Sequence, residues 1–201
     1  MTGSLKDQTV LIIGRGSGLA RAIVLAALDA GAQVVAAGRD EENLSAAYDA
    51  EPGVSTEYVD LTDEASIAAL AGRLGSVDHV VSTASARALG RIADLDRDAI
   101  RLSFDTKVIG PLMLAKHFAT RINQGGSFTL FSGVAAAKIA VGTLGVAITN
   151  AAADTLARSL ALELAPIRVN AVSPGVIDTG AWDALGQLTL RISGQVRDEA
   201  P

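Results

Sequence analysis

The chain has 201 residues, 49% of them hydrophobic, 19% charged and none cysteine, with a formal net charge of −5 at pH 7. That length suits one domain with a sizeable core, and the lack of cysteine excludes disulfides and thiolate chemistry. An acidic balance without a basic cluster gives nucleic acid no footprint, two isolated histidines argue against a metal site, and no apolar run approaches the ~20 residues of a membrane span.

Short β-branched runs alternate with longer alanine- and leucine-rich stretches. Strands are predicted over 10–13, 33–37, 55–59, 79–82, 127–131 and 168–172, and helices over 18–30, 41–48, 62–74, 97–121 with a possible break near Pro111, and 145–164. Most strand runs are continuously apolar, the pattern that burial on both faces produces. The expectation is a single α/β domain over 1–201, a Rossmann-like doubly wound parallel sheet with right-handed crossovers and helices on both faces. Residues 187–201 are the least regular, with room for a short strand at 188–192 and a charged end expected to fray.

The first strand stops at Gly14, three glycines fall within five positions, and a helix pattern begins at once. A strand feeding a helix in this way leaves free N–H groups and the positive end of a helix dipole facing one point, which suits a diphosphate. Gly14 permits the turn, Gly18 lets backbone approach a ligand, and Ala20 lets the helix pack closely. The spacing is G-x-x-x-G-x-A, not G-x-G-x-x-G, and a glycine turn with no ligand gives the same pattern. The second strand ends at Gly38-Arg39, where a dinucleotide-binding unit meets the adenosine ribose. An acidic residue there accepts from the 2′-hydroxyl, whereas Arg39 matches a 2′-phosphate and favours NADP over NAD, unless it is an ordinary arginine at a strand end. Arg15 adds charge near the same phosphate or is a surface residue.

From about residue 8 to residue 182 the sequence resembles the short-chain dehydrogenase/reductase family. VLIIGRGSGLARAI (10–23) is similar to the family's cofactor turn, and YVDLTDEASI (58–67) to the segment with its third-strand Asp. VDHVVSTAS (77–85) stands where the family has Asn-Asn-Ala-Gly, GSFTLFSG (126–133) resembles its fifth strand, and LARSLALELAPIRVNAVSPGVIDT (156–179) its sixth strand and Pro-Gly turn. The resemblance implies an NADP(H) site. Gly14, Arg15, Ser17, Gly18 and Leu19 would form the turn, Arg39 would meet the ribose, and Asp60 and Leu61 would lie by the adenine. Thr83 and Ala84 would line the floor, Pro174, Gly175, Val176 and Ile177 would border the nicotinamide, and Thr179 would offer a hydroxyl near the diphosphate.

The same resemblance locates four positions where the family keeps its chemistry. The tyrosine position falls on Val146, the lysine position on Asn150, the serine position on Gly133 with Ser132 beside it, and the asparagine position on Lys107. None carries the usual side chain, and valine can neither donate nor accept a proton. Lysine in the asparagine position and asparagine in the lysine position are either an exchange across two facing helices that would keep the site electropositive, or two unrelated substitutions with Lys107 solvated at a subunit surface. Lys107, Ser132 and Asn150 are therefore the candidate catalytic groups. His117 is expected to be structural or at an interface, and His79 a strand-end residue. The stretch ISGQV (192–196) lies a short way past Trp182, so the covering substrate lobe of relatives is expected to be shortened.

Two functions follow from different classes. One is an NADP(H)-dependent oxidoreductase of a small carbonyl or alcohol with a rearranged site. The other is an NADP(H)-binding sensor or partner subunit that transfers no hydride. Arg39 and the Pro-Gly turn argue against a bare scaffold, and Arg39 argues against a methyltransferase, whose ribose hydroxyls call for an acid. The N-terminus has no signal pattern, so a cytoplasmic protein without nucleic-acid or membrane partners is expected. The alanine-rich helix 145–164 and the helix near 97–121 are expected to pair copies into a homodimer or homotetramer.

Overall fold

A computed structural model describes residues 4–175 and 177. Six strands form one sheet in the order β3-β2-β1-β4-β5-β6, every neighbouring pair parallel. They are β1 (Thr9–Ile13), β2 (Gln33–Gly38), β3 (Val54–Tyr58), β4 (Val77–Ser82), β5 (Ile122–Phe131) and β6 (Arg168–Val172). Helices α1 (Gly18–Asp29), α2 (Glu41–Tyr48), α3 (Glu64–Leu74), α4 (Arg97–Phe104), α5 (Gly110–Phe118) and α6 (Leu144–Glu163) make the crossovers. Among the described residues no helix is long and apolar enough to cross a membrane.

Alternation along the central strands divides the interior into two cores. Val10, Ile12, Val34 and Ala36 face Ala20, Val24 and Ala27 of α1 and Leu44 and Tyr48 of α2. Leu11, Ile13, Val35 and Ala37 face the other way, onto Ile67 and Leu70 of α3, Leu114 and Phe118 of α5, and Leu160 of α6. Both faces of β1 are thus buried, which is why its sequence shows no polar alternation. Each large buried side chain contributes roughly 1.5–3 kcal/mol, so these layers supply most of the drive to fold.

Three boundaries differ from the sequence-based expectation for physical reasons. The helix expected over 97–121 is two helices, and the interruption is a π-helical turn at Asp105–Ile109 rather than a break at Pro111. Pro111 sits in the first turn of α5, directly after that π-helical turn. β5 begins at Ile122, which pairs with Val77, and the next pair in register is Ser127 with His79. Residues 123–126 therefore bulge out of the ladder, with Gly125 at φ 86°. α3 starts at Glu64 because the Asp63 carboxylate accepts from Ala65 N at 2.9 Å and caps it.

Sheet order reverses between β1 and β4, and the crevice beyond the C-terminal ends of those strands is where such sheets bind ligands. The opposite end is closed by side chains. Asp78 accepts from Thr9 N at 2.7 Å and from Asn123 Nδ2 at 3.0 Å. His79 shares hydrogen bonds with Ser127 Oγ at 2.8 Å and Gln8 Oε1 at 3.0 Å. This places His79 inside a strand-end network, away from the crevice.

Candidate active site

A cavity of about 610 Å³ occupies the crevice. Its walls come from the segments that follow β1, β2, β3 and β4, with Thr106 of the π-helical turn at one end. Gly14, Arg15, Ser17, Gly18 and Leu19, Arg39, Asp60 and Leu61, and Thr83 and Ala84 all line it. Sequence reasoning had put these residues on one ligand, and the fold brings them to one cavity.

Close packing explains the glycines. A Cβ on Gly14 would stand 2.5 Å from Ala20 Cβ and 2.7 Å from Thr83 Oγ1, so only glycine lets β1 turn against α1 and the end of β4. A Cβ on Gly38 would stand 2.5 Å from Gly14 O, which lets the end of β2 lie directly on the turn. Thr83 Oγ1 donates to Ile13 O at 2.9 Å and fixes that floor. α1 then starts from Ser17 with no side-chain capping bond and no acidic residue in its first turn. Its first N–H groups and the positive end of its dipole face the cavity, which suits a diphosphate.

The adenosine end is defined by β2 and β3. Asp40 caps α2 by accepting from Asn43 N at 3.0 Å, so its carboxylate is engaged, while Arg39 stands exposed at the cavity. Asp60 Oδ1 accepts from Thr62 N at 2.9 Å and Thr62 Oγ1 at 2.8 Å, and Asp60 N donates to Ser66 Oγ at 2.9 Å. That turn fixes the acid beside the buried side chains of Val59 and Leu61.

The groups expected to carry chemistry lie beyond Thr106. Lys107 is buried in the π-helical turn, and its Nζ donates to Ser132 O at 2.9 Å. Asn150 on α6 donates from Nδ2 to the next carbonyl, Gly133 O, at 3.3 Å, and its buried Oδ1 has no partner among the described residues. Lys107 and Asn150 thus grip consecutive carbonyls of the segment that leaves β5. Ser132 is buried, and its hydroxyl donates to Val172 O at 3.4 Å, towards β6. A Cβ on Gly133 would stand 2.7 Å from Asn150 Nδ2, so the amide fills the space that a side chain at 133 needs. Burial, reinforced by the Arg87 guanidinium and opposed by Asp154, holds Lys107 well below its ordinary value, at about 8.

Pro174 O accepts from Val134 N at 2.9 Å, which ties the Pro-Gly turn to the same segment. Gly175 and Ile177 are exposed at the end of the described chain, and Val176 and Thr179, the expected strand at 188–192 and the ISGQV stretch lie outside the described residues. Arg87, Ser85, Asn43 and Thr106 also line the cavity and were not singled out from sequence. No motif marks them, since their place depends on how the loop after β4 and the π-helical turn fold. His117 is on α5 against Glu64, at 3.0 Å from Oε1, remote from the cavity walls.

Comparison with known proteins agrees with this architecture. Residues 13–201 match the family model described as enoyl-(acyl carrier protein) reductase. The chain is 34% identical over 188 residues to the L-xylulose reductase of Bos taurus, covering 89% of this chain and 77% of that one. A short-chain type dehydrogenase/reductase from Mycobacterium ulcerans superposes with a TM-score of 0.83 at 30% identity, covering 93% of this chain and 73% of the other. Another solved member, described as a short chain dehydrogenase/reductase family protein, gives a TM-score of 0.85 at 31% identity, covering 92% and 81%. With its doubly wound sheet, its glycine turn and these relatives, the chain belongs to the short-chain dehydrogenase/reductase family of oxidoreductases.

Proposed function

We propose that this chain is an NADP(H)-dependent oxidoreductase of a small carbonyl or alcohol that works from a rearranged active site. The observation that carries the cofactor preference is the end of β2. Gly38 has no room for a Cβ against Gly14 O, so no carboxylate fits there to accept from a 2′-hydroxyl, and the next residue on the cavity is the cation Arg39. Gly14, Arg15, Ser17, Gly18, Leu19 and Thr179 would hold the diphosphate, Asp60 and Leu61 the adenine, and Thr83, Ala84, Pro174, Gly175, Val176 and Ile177 the nicotinamide half. When bound, the dinucleotide supplies or accepts the hydride.

The chain's own part is to orient and to move a proton. Lys107 and Asn150, through the carbonyls of Ser132 and Gly133, position the segment beside the reacting carbon. Lys107, with its ammonium held at about 8, is also the titratable group of this cluster that exchanges a proton near neutral pH. The bovine relative acts on L-xylulose, as its name states, which supports ketoses as the first substrates to try.

A second reading is favoured by Val146, which stands half-buried where the resemblance expects the tyrosine acid. In that reading the protein binds NADP(H) as a sensor or partner subunit without turnover. NADPH fluorescence titration followed by a panel of ketoses, aldehydes and ketones separates the two. Turnover supports the enzyme, at a rate ~10²- to 10⁴-fold below that of a site with a positioned acid. Binding without turnover supports the sensor, and failure to bind NADPH overturns both.

The same proposal takes the protein as a cytoplasmic homodimer or homotetramer with a small-molecule substrate. Leu102, Ile109 and Leu112 on and between α4 and α5, and Ile148 and Leu162 on α6, are exposed apolar residues that support pairing of those helices. Sedimentation velocity showing only monomer at micromolar concentration removes the oligomer.

A further inference from the structure

The turn that follows β3 is folded onto the start of α3. Asp60 N donates to Ser66 Oγ at 2.9 Å, Asp63 N donates to Asp60 O at 3.1 Å, and the Asp63 carboxylate caps the helix. Residues 60–66 are thereby tied into one unit, and Asp60 and Leu61 are the part of it that lines the cavity.

α5 holds that unit at two places. At its first residue, a Cβ on Gly110 would stand 2.7 Å from both Leu61 Cβ and Leu61 O and 2.9 Å from Asp105 O, so the helix backbone lies directly against the Leu61 carbonyl. Backbone atoms in a close-packed interior cannot swing aside as the tip of a side chain can. In its last turn, Lys116 Nζ donates to Glu64 Oε1 at 2.7 Å, and His117 Nε2 lies 3.0 Å from the same oxygen. Between these contacts Leu114 packs in one core with Val59 and Leu61. None of Gly110, Glu64, Lys116 and His117 is among the residues that line the cavity.

Resting on the dinucleotide-binding reading above, we propose that α5 positions the adenine end of the cofactor. Gly110 and the Lys116–Glu64 ion pair are positioning residues that set where Asp60 and Leu61 stand, without touching the nucleotide. The glycine turn after β1 is held by other contacts, from Ala20 and Thr83 to Gly14. A disturbance of α5 therefore reaches the adenine loop and spares the turn.

The test uses the full chain with two probes, NADPH followed by its fluorescence and 2′-AMP, which carries the adenine half alone, followed by competition. Gly110→Ala is expected to raise both Kd values by the same factor, about tenfold or more, because the added methyl drives Leu61 from its place. Glu64→Gln and Lys116→Met, both at exposed positions, are expected to raise both by about two- to fivefold, and Lys116→Arg to keep the wild-type values. A general loosening of the fold would cost NADPH, which spans the whole cavity, more than 2′-AMP, and that result overturns the proposal. So does an unchanged NADPH Kd in Gly110→Ala or, should that variant not fold, in Glu64→Gln and Lys116→Met. If the wild-type chain binds no NADPH, the dinucleotide reading itself falls and the role of α5 with it.

Discussion

At the N-terminal ends of the strands Asp78 takes up Thr9 N and Asn123 Nδ2, and His79 is shared between Ser127 and Gln8. At the C-terminal ends of the same sheet α1 starts without a side-chain cap, Arg15, Arg39 and Arg87 line a cavity, and Asn150 keeps a buried oxygen with no partner among the described residues. The helices make the contrast sharper still. α2, α3 and α4 each begin under an aspartate, Asp40, Asp63 and Asp96, whereas α1, which opens on the cavity, has none. One end of the sheet spends its polar groups on its own strands, and the other lines a cavity with several of them.

The largest expected separation of the two ends comes from Gly14→Ala set against Asp78→Ala. A methyl group at 14 collides with Ala20 and Thr83, so NADPH affinity should fall about a hundredfold or more. Asp78→Ala strips Thr9 and Asn123 of their acceptor, should cost about 1–3 kcal/mol in urea unfolding, and should leave the NADPH Kd unchanged. If both variants lost cofactor equally, the division between the ends would be wrong.

Next in size is the response to pH. Folded Lys107 gives up its proton near 8, while the unfolded chain keeps it to the ordinary 10.5. Between these values the unfolded state binds more protons, so wild-type stability rises with pH relative to Lys107→Met, by up to about 3 kcal/mol. Urea titrations of both proteins at pH 7.5 and 10 measure the change. At the other end, burial lowers His79 below its ordinary 6.5, so its contribution is lost as the pH falls from that value, and His79→Gln should flatten that acid limb.

Arg39→Ala should reduce NADPH affinity about ten- to hundredfold and leave NADH affinity unchanged, since charge-assisted contacts to the extra phosphate are worth about 1.5–3 kcal/mol. An equal loss for both nucleotides would place Arg39 elsewhere. The smallest effect compares helix starts. Asp96→Ala removes the bond to Ala99 N at 2.7 Å and should cost about 1 kcal/mol, whereas Ser17→Ala, which breaks no capping bond, should leave the unfolding free energy almost unchanged.

Much of this architecture was legible in the chain because burial on two faces writes long apolar runs. β1 and β2 follow from that pattern, whereas β3 (VSTEY) and β6 (RVNAV), which are largely unburied, are marked by β-branched residues instead. Gly14, Gly18 and Arg39 were legible from the strand-turn-helix chemistry, and the other cavity residues up to Ala84 from resemblance to the family. What stayed hidden depends on local geometry without a compositional mark. The π-helical turn at Asp105–Ile109 uses ordinary helix formers, and it is this turn that buries Lys107. The start of β5 is masked by the polar bulge at 123–126. Arg87 was missed because its place on the cavity depends on Ser103 and Gly145, residues from two other elements that fix its neighbours. The resemblance led to an expectation that Lys107 and Asn150 face each other, but not that both side chains would reach adjacent carbonyls.

The contact between Asn150 Nδ2 and the missing Cβ of Gly133 sets an order on change at this site. A hydroxyl-bearing residue at 133 meets the amide at once, so Gly133→Ser made alone should be harmful even if the serine is what chemistry wants. Asn150→Ala made first clears that volume, and the two substitutions together should be tolerated better than the sum of their separate effects. An engineer, or a lineage, introducing a side chain at position 133 must therefore alter α6 before touching the loop that leaves β5.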